Sequence, residues 1–276
     1  MKILVTGGSG FIGKTFIKTY KKTFDIVAPT HEQMDLSDAR SIARMFAKHK
    51  FDAVLHLAGL SASGVGPLEA DNLIMFKNIQ YMSIANGVKK LIAAGEGVEF
   101  DRSRPITDFS EEMFGRSIPT DGYGLGRYLI NLLASKDKIT TVLRMFNVYG
   151  EGGGSRPINK IVAAGSRGKK QIVIDRDRIV SAVTAEDAVK VIATFLKKDL
   201  PKGDYNLVSG DKMSYLDIAK TVKRLVRKDG FDIDIVVKNP QSDLEYSASN
   251  AKLLSVLPYK FTSMNTGVKN LYEKLK

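Results

Sequence analysis

The chain opens with Lys2-Ile3-Leu4-Val5-Thr6-Gly7-Gly8-Ser9-Gly10-Phe11-Ile12-Gly13, an apolar run that leads into glycines spaced three residues apart. The run predicts a strand over residues 2–6, and the residues after it predict a helix over 13–22. A tight turn, a close ligand and close helix–strand packing each exclude a Cβ, so Gly7, Gly10 and Gly13 suit a turn that binds a diphosphate. The helix N terminus would direct free N–H groups at the phosphates. Glycine-rich turns are common, but this position directly after a strand favours dinucleotide binding.

Short β-branched runs alternate with amphipathic stretches through the first 150 residues. Strands are predicted at 2–6, 25–28, 53–57, 90–94 and 140–146, and helices at 13–22, after a cap at Ser37, at 72–86 and at 123–135. This order predicts an α/β fold with a Rossmann-type doubly wound parallel sheet.

The alternation is interrupted after Gly150 by Gly152-Gly153-Gly154 and by a basic stretch at 165–170. We therefore expect residues 1–150 to form a dinucleotide-binding Rossmann domain, to which 179–198 return. Residues 151–178 and 199–276 would form a smaller, interleaved C-terminal substrate lobe. Segments 204–208, 215–227, 233–237 and 250–254 are expected to build that lobe.

The composition limits the function classes. Lys and Arg number 42 against 30 Asp and Glu, a net charge of +12, but the basic residues are scattered, which favours solvated helix faces over a surface that steers a phosphorylated substrate or nucleic acid. The chain has no cysteine, which excludes disulfides and thiol nucleophiles. No apolar run approaches the roughly 20 residues that span a bilayer, and the glycine turn comes too soon for a secretory signal. We expect a cytoplasmic protein without membrane contact, and no metal site, because His31, His49 and His56 lack ligand spacing.

The segment after the second predicted strand bears on the coenzyme. Ala28-Pro29-Thr30-His31 has no Asp or Glu where a carboxylate usually binds the adenosine ribose. Nothing there repels a 2′-phosphate, and His31 is placed to contact one, so NADP is slightly favoured over NAD. An exposed loop histidine would give the same pattern. Asp35 either faces the adenine or serves as a helix-entry residue, and the sequence leaves both open.

Tyr123 and Arg127 lie four residues apart in Tyr123-Gly124-Leu125-Gly126-Arg127-Tyr128, so on a helix they share one face. A tyrosine acts as acid or base near neutral pH when a fixed cation lowers its pKa from about 10. A surface pair with this spacing is the alternative. The position between the fourth and fifth predicted strands favours a catalytic pair.

Several motifs follow one another along nearly the whole chain: TGGSGFIG (6–13), MDLSD (34–38), HLAG (56–59), YGLGRY (123–128), RMFNVYG (144–150), AEDAV (185–189) and DYNLVSG (204–210). In these motifs the chain resembles the extended short-chain dehydrogenases/reductases, specifically the NAD-dependent epimerase/dehydratase family that acts on nucleotide sugars. So many matches in the same order are hard to obtain by chance.

The resemblance implies that Tyr123 exchanges a proton with the sugar, assisted by a lysine at position 127 and by a Ser or Thr. Here Arg127 keeps the charge on a wider, planar group, and the hydroxyl position falls on Glu96. An ionised Glu96 about 4 Å away would oppose the phenolate by roughly 1 to 4 kcal/mol. Glu96 could pair with Arg127, be held protonated, or turn away while Ser61 or Ser63 supplies a hydroxyl. An outward loop carboxylate is the remaining possibility.

The resemblance also implies a set of binding residues. Cofactor-binding positions would be Gly7, Gly10, Phe11, Ile12, Gly13, His31, Asp35, Leu36, Leu57, Ala58, Gly59, Tyr123 and Arg127. Substrate-binding positions would be Ser61, Asn147 and Arg178, with Arg176 as an alternative to Arg178 for the diphosphate. A homodimer through the helices that contain Asn72 and Tyr123 is expected on the same ground.

The leading hypothesis is an NADP- or NAD-dependent oxidoreductase or epimerase that acts on the hexose of a nucleotide-diphosphate sugar, either a 4-keto reductase or an epimerase. A 4,6-dehydratase is disfavoured because AAGEGVEF (93–100) only partly offers the acidic pair of such members. The alternative is a catalytically impaired, coenzyme-binding family member that serves as a partner or regulatory subunit. A Rossmann protein recruited to RNA rests on the net charge alone.

Overall fold

The computed structural model describes residues 1–60, 68–239 and 245–276, and the chain folds into two compact units. The first unit contains Met1–Ser103, Glu111–Arg144 and Val189–Tyr205. The second contains Arg104–Ser110, Met145–Ala188 and Asn206–Lys276.

Strands and helices alternate through much of the chain. The strands are β1 (Lys2–Thr6), β2 (Asp25–Val27), β3 (Ala53–His56), β4 (Lys90–Glu96), β5 (Ile106–Phe109), β6 (Thr140–Met145), β7 (Val148–Tyr149), β8 (Gln171–Arg176), β9 (Ile179–Ser181), β10 (Val183–Thr184), β11 (Gly203–Asn206), β12 (Lys212–Ser214), β13 (Asp234–Asn239) and β14 (Glu245–Ala248). The α-helices are α1 (Phe11–Tyr20), α2 (Ala39–Lys48), α3 (Leu68–Ala85), α4 (Gly122–Ala134), α5 (Pro157–Ser166), α6 (Ala185–Lys197), α7 (Tyr215–Lys228), α8 (Ala251–Val256) and α9 (Met264–Leu275). Short 3₁₀ turns cover Gly97–Glu99 and Glu111–Met113.

The first unit is built on a six-stranded sheet with the order β11-β6-β4-β3-β1-β2. β1 pairs in parallel with β2 and β3, and β3 pairs in parallel with β4. Thr6 lies opposite His56, and His56 lies opposite Ala93, so the carboxyl ends of these strands share one edge. Ligands of open parallel sheets bind at this edge. The predicted α/β, Rossmann-type fold is confirmed.

The core of the first unit explains why the sequences of its strands are continuous apolar runs. Every residue of β3 is buried, as are four of the five residues of β1, which indicates cover on both faces. Leu4, Val54 and Leu91 from neighbouring strands are fully buried, together with Phe76 and Ile79 from α3. This packing fixes the strand ends that position the site.

The second unit has its own sheets and core. β12-β9-β14-β5 form one sheet, while β7 pairs with β10 and β8 pairs with β13. Ile161, Val222 and Val268 bring α5, α7 and α9 into one apolar cluster. A Cβ on Gly165 would lie 2.3 Å from Val222 Cγ1, so this glycine allows the close approach of α5 and α7.

Two sequence predictions about elements differ from the structure. Residues 204–208 are predicted for the substrate lobe, but Asp204 and Tyr205 belong to the first unit, where β11 is the edge strand of the six-stranded sheet and Tyr205 packs on Phe195 of α6; residues 206–208 belong to the second unit. The cap of α2 is Asp38, which accepts from the Arg40 N–H, and Ser37 instead donates its hydroxyl to Asp35. In the part of the chain that the structure describes, no helix is long and apolar enough to cross a bilayer.

Candidate active site

The turn between β1 and α1 can be formed only by glycines at two positions. Gly7 has a φ of +72°, and a Cβ on it would lie 2.6 Å from the Ala58 nitrogen. A Cβ on Gly13 would lie 2.2 Å from the carbonyl oxygen of Gly7. The Gly10 N–H donates to that same oxygen at 3.0 Å and closes the turn. The backbone is therefore open to a ligand that approaches closely.

This turn fits the diphosphate of a nicotinamide dinucleotide. Gly10 is the N-cap residue of α1 and makes no side-chain cap bond to that helix. The N terminus of a helix, with its N–H groups and the positive end of its dipole, is suited to an anion. Phe11 and Ile12 are half-buried in the same turn. Leu57, Ala58 and Gly59, which directly follow β3, lie at the same edge of the sheet.

Tyr123, Arg127 and Glu96 form a triangle of polar contacts. Glu96 ends β4, while Tyr123 and Arg127 lie one turn apart on α4, whose N terminus is capped by Asp121. Tyr123 Oη donates to Glu96 Oε1 at 2.7 Å, and Arg127 Nη2 lies 3.0 Å from the same oxygen. Arg127 Nη2 also donates to Tyr123 Oη at 3.3 Å. Of the arrangements left open by the sequence, the structure has the ion pair between Glu96 and Arg127.

The triangle keeps the phenol protonated. Burial, followed by the Glu96 carboxylate, raises the pKa of Tyr123 to about 12, although the Arg127 guanidinium opposes this shift. The pKa of Arg127 is itself raised by its carboxylate neighbour Glu96 despite burial. Arg127 lowers the tyrosine pKa and Glu96 opposes it, as the sequence predicts, but burial and Glu96 together outweigh Arg127.

A second, buried carboxylate, that of Glu99, holds the backbone of Glu96 in place by a hydrogen bond. Glu99 is 2% exposed and accepts from the Glu96 backbone N–H at 2.8 Å. Its other oxygen accepts from Asn131 Nδ2 at 2.7 Å and from Arg144 Nε at 2.9 Å. Arg144 is fully buried, and its Nη2 lies 2.8 Å from Asp204 Oδ2. This cluster was not predicted, although Asn131 continues the i, i+4 series of Tyr123 and Arg127 on α4.

The wide guanidinium of Arg127 depends on a glycine. A Cβ on Gly59 would lie 2.6 Å from Arg127 Nη2. Asn72 of α3 fixes this segment, because its side-chain oxygen accepts from the Leu60 N–H at 2.8 Å and its amide donates to the Leu60 carbonyl at 3.1 Å. Gly59, the glycine of the HLAG motif, therefore leaves space for the Arg127 guanidinium.

His56, at the end of β3, gives the fold a predicted acid sensitivity. Its Nδ1 lies 2.8 Å from Thr6 Oγ1, and burial, with a smaller contribution from Arg127, lowers its pKa from 6.5 to about 3. Between those values the unfolded chain takes up a proton that the folded chain does not. As the pH decreases through that window, the free energy of unfolding should therefore decrease, by about 1.4 kcal/mol per pH unit from this group.

Urea unfolding between about pH 6.5 and 5, where few carboxyl groups titrate, measures this dependence. His56→Gln keeps a hydrogen-bonding side chain without a titratable ring, so its unfolding free energy should fall less steeply with decreasing pH. Equal slopes for the two proteins would contradict the assignment to His56.

The residues predicted for the adenosine end lie on the surface or serve the fold. His31 is exposed. Asp35 Oδ1 accepts from the Ser37 N–H at 2.8 Å and from its hydroxyl at 2.7 Å, which lowers the pKa of the Asp35 carboxyl. This geometry is that of a helix-entry residue. Leu36 is buried in the core of the first unit.

The predicted catalytic residues and two of the predicted substrate-binding residues belong to different units of the chain. Glu96, Tyr123 and Arg127 belong to the first unit, whereas Asn147 and Arg178 belong to the second. The Asn147 amide donates to the Ser181 carbonyl at 3.0 Å, and Arg178 is half-buried. Ser61 and Ser63 lie outside the described residues.

Comparisons with known proteins agree with this geometry. Residues 3–207 match the model of the NAD dependent epimerase/dehydratase family. A GDP-6-deoxy-D-talose 4-dehydrogenase from Aggregatibacter actinomycetemcomitans is 27% identical over 99% of this chain and 97% of its own length. A GDP-L-fucose synthase from Azorhizobium caulinodans is 25% identical over 82% of this chain and 80% of its own. Among solved structures, a GDP-mannoheptose C4 reductase from Campylobacter jejuni with NADP bound is similar with a TM-score of 0.81 at 21% identity, covering 99% of this chain and 97% of that one.

The Rossmann-type sheet and the glycine turn after β1 are the features of a dinucleotide-binding protein. The match over most of its length shows that the chain belongs to the NAD dependent epimerase/dehydratase family. The predicted family, the predicted enzyme class and the prediction of a nicotinamide coenzyme are thereby confirmed.

Proposed function

We propose that the protein is an NADP(H)-dependent reductase of the 4-keto group of a nucleotide-diphosphate hexose, with Tyr123 as its acid/base. The observation that carries this proposal is the contact of Tyr123 with both Arg127 and Glu96, in the unit that also contains the phosphate turn. The relative that matches 99% of the chain is named as a 4-dehydrogenase of a GDP-sugar, which supports redox chemistry at that position.

The chemistry needs a hydride at the carbonyl carbon and a proton at its oxygen. A bound nicotinamide coenzyme supplies the hydride. Tyr123 Oη exchanges the proton with the sugar oxygen. Arg127 Nη2 donates to Tyr123 Oη and holds that oxygen in place.

The test is a turnover assay with GDP-, dTDP- and UDP-linked 4-keto hexoses and either reduced coenzyme. We expect one class of nucleotide sugar to cause a loss of NADPH absorbance that equals the amount of reduced sugar formed. Interconversion of two sugars without net use of coenzyme would contradict the reductase and support the epimerase alternative. No reaction with any of these sugars would overturn both.

The preference for NADP rests on the absence of a carboxylate from residues 28 to 31, directly after β2. His31→Glu would place a negative charge where the 2′-phosphate is expected, while a carboxylate can accept from a ribose 2′-hydroxyl. We expect the Kd for NADPH to rise about tenfold or more and the Kd for NADH to stay equal or fall. Calorimetry with both coenzymes measures this, with His49→Glu as the control. An equal effect on both coenzymes would contradict the proposal.

A homodimer through α3 and α4 is also proposed. Ile74, Tyr81 and Ile84 of α3 are 45, 67 and 50% exposed and lie on one side of that helix, and Leu132 of α4 is 38% exposed. α3 and α4 pack on each other within the first unit. Sedimentation should show a dimer that dissociates in Ile84→Asp, because the interface would bury the new charge. A wild-type monomer at micromolar concentration would contradict the proposal.

The alternative function is a coenzyme-binding partner subunit without turnover. Tyr123 donates its proton to a protein carboxylate, which favours this alternative because the same proton is needed by the sugar. Coenzyme binding without turnover of any nucleotide sugar, together with co-purification of an active family member, would support it.

A further inference from the structure

We infer that Glu96 stores the proton exchanged with the sugar, and that Tyr123 relays it as a neutral phenol. This inference rests on the proposed function of the site as an oxidoreductase of a sugar hydroxyl or keto group. It gives Glu96 a role different from that of the hydroxyl residue whose position it occupies.

The orientation of the Tyr123 hydroxyl is the first argument. Its hydrogen is donated to Glu96 Oε1 over 2.7 Å. A phenol oxygen also accepts hydrogen bonds, and Arg127 Nη2 donates to it over the longer distance of 3.3 Å. A sugar hydroxyl that takes over this acceptor position completes a chain from sugar to phenol to carboxylate.

The step balances in both directions. On oxidation of the sugar, its O–H bond breaks and the proton goes to Tyr123 Oη, while the Oη–H bond breaks and that proton goes to Glu96 Oε1. The electrons of the carbon–hydrogen bond leave as hydride to the oxidised nicotinamide coenzyme, and the carbon–oxygen π bond forms from the oxygen electrons. On reduction, protonated Glu96 gives its proton to Tyr123, Tyr123 gives its own to the sugar oxygen, and Glu96 ends as the carboxylate paired with Arg127. The ion pair in the structure is that end state.

The relay avoids a phenolate beside a carboxylate. If Tyr123 ionised, two anions would lie next to each other with one guanidinium between them, in a largely buried place. The raised pKa of Tyr123 expresses the same conflict. A phenol that gains one proton as it loses another carries no charge at either end of the reaction.

The groups around Glu96 leave it as the carboxyl suited to this task. Glu96 contacts Tyr123 and Arg127 of α4, and Glu99 follows it in the adjoining 3₁₀ turn. Glu99 is buried and paired with Arg144 of β6, whereas the Glu96 side chain is 35% exposed. His56 of β3 interacts with Arg127 and stays neutral above about pH 3. Water can therefore reach the Glu96 carboxyl group but not the buried Glu99 carboxylate.

The direction in which Glu96→Gln changes kcat distinguishes the relay from a phenolate mechanism. Glu96→Gln keeps an oxygen that accepts from Tyr123 but cannot release a proton, so the relay predicts a fall in kcat of about 100-fold with little change in KM. If Tyr123 instead acts as a phenolate, removal of the opposing carboxylate would raise kcat about tenfold, and that result would overturn the inference. Glu112→Gln, which alters an exposed carboxylate of the same unit, is the matched control and should leave kcat unchanged.

A measurement without substrate keeps the inference separate from the proposed function. Tyrosinate absorbance, taken as the difference between each protein and its Tyr123→Phe counterpart, reports ionisation of Tyr123 alone. We expect Glu96→Gln to ionise Tyr123 about one pH unit or more below wild type. An unchanged titration would show that Glu96 is not coupled to the phenol and would overturn the relay. A wild-type protein without turnover, but with this coupling, would overturn the proposed reductase and leave the proton contact standing.

Discussion

Replacement of Tyr123 by Phe should lower kcat for keto-sugar reduction by about 10²- to 10⁴-fold, the usual contribution of a positioned proton donor. The hydroxyl is the group that contacts both Glu96 and Arg127, and the phenyl ring leaves the Glu96–Arg127 ion pair in place. The hydride can still be presented to the sugar, but the oxygen receives no proton from the protein. The Kd for NADPH should therefore change by less than about threefold.

The control for this change lies on the same helix. Tyr128 stacks on Phe114 with ring centroids 4.7 Å apart and is not part of the triangle. Tyr128→Phe should keep kcat within about twofold of wild type. Full activity in Tyr123→Phe would remove Tyr123 from the mechanism, and equal losses in both variants would point to damage of α4.

Gly7→Ala should weaken NADPH binding by about 100-fold or more, the second large effect. An alanine Cβ at this position would lie 2.6 Å from the Ala58 nitrogen and 2.7 Å from the Leu57 carbonyl carbon, which are backbone atoms that follow β3. Neither segment can move without opening the turn that should receive the diphosphate. Calorimetry of the folded variant, with its fold verified by circular dichroism, measures the loss.

Gly87→Ala separates backbone strain from the loss of the phosphate site. Gly87 has a φ of +70°, nearly the same as the +72° of Gly7, and an added Cβ there would meet nothing within 4 Å. Both alanines suffer the strain of a left-handed backbone, about 1 to 2 kcal/mol. Only Gly7→Ala should lose coenzyme affinity. Similar NADPH affinities in the two variants would show that the turn after β1 does not bind the diphosphate.

The parts of the site that the sequence predicted are those set by local geometry. The glycine spacing from Gly7 to Gly13 imposes a turn by short-range contacts, and the interval between Tyr123 and Arg127 places both side chains on one face of α4. The contact with Glu96 followed from the resemblance, and the structure adds the direction of its hydrogen bonds. The preference of Asp38 over Ser37 as the cap of α2 depends on which of two adjacent acceptors is free, because Asp35 already binds Ser37.

The parts that were missed depend on residues far apart in the chain. Glu99, Asn131 and Arg144 come from a 3₁₀ turn, a helix and a strand, and no spacing in the sequence joins them. The same applies to β11, which lies beside β6 although about sixty residues separate them along the chain. Sequence patterns report the local conformation of such segments, whereas tertiary packing decides their neighbours.

The attachment of Asp204 to Arg144 has a consequence for the chain as it is synthesised. Arg144 is synthesised some sixty residues before Asp204, so its ion pair with Asp204 forms later than the chain can supply Glu99. A nascent chain can therefore complete the support of Glu96 only after the last strand of the large sheet has left the ribosome.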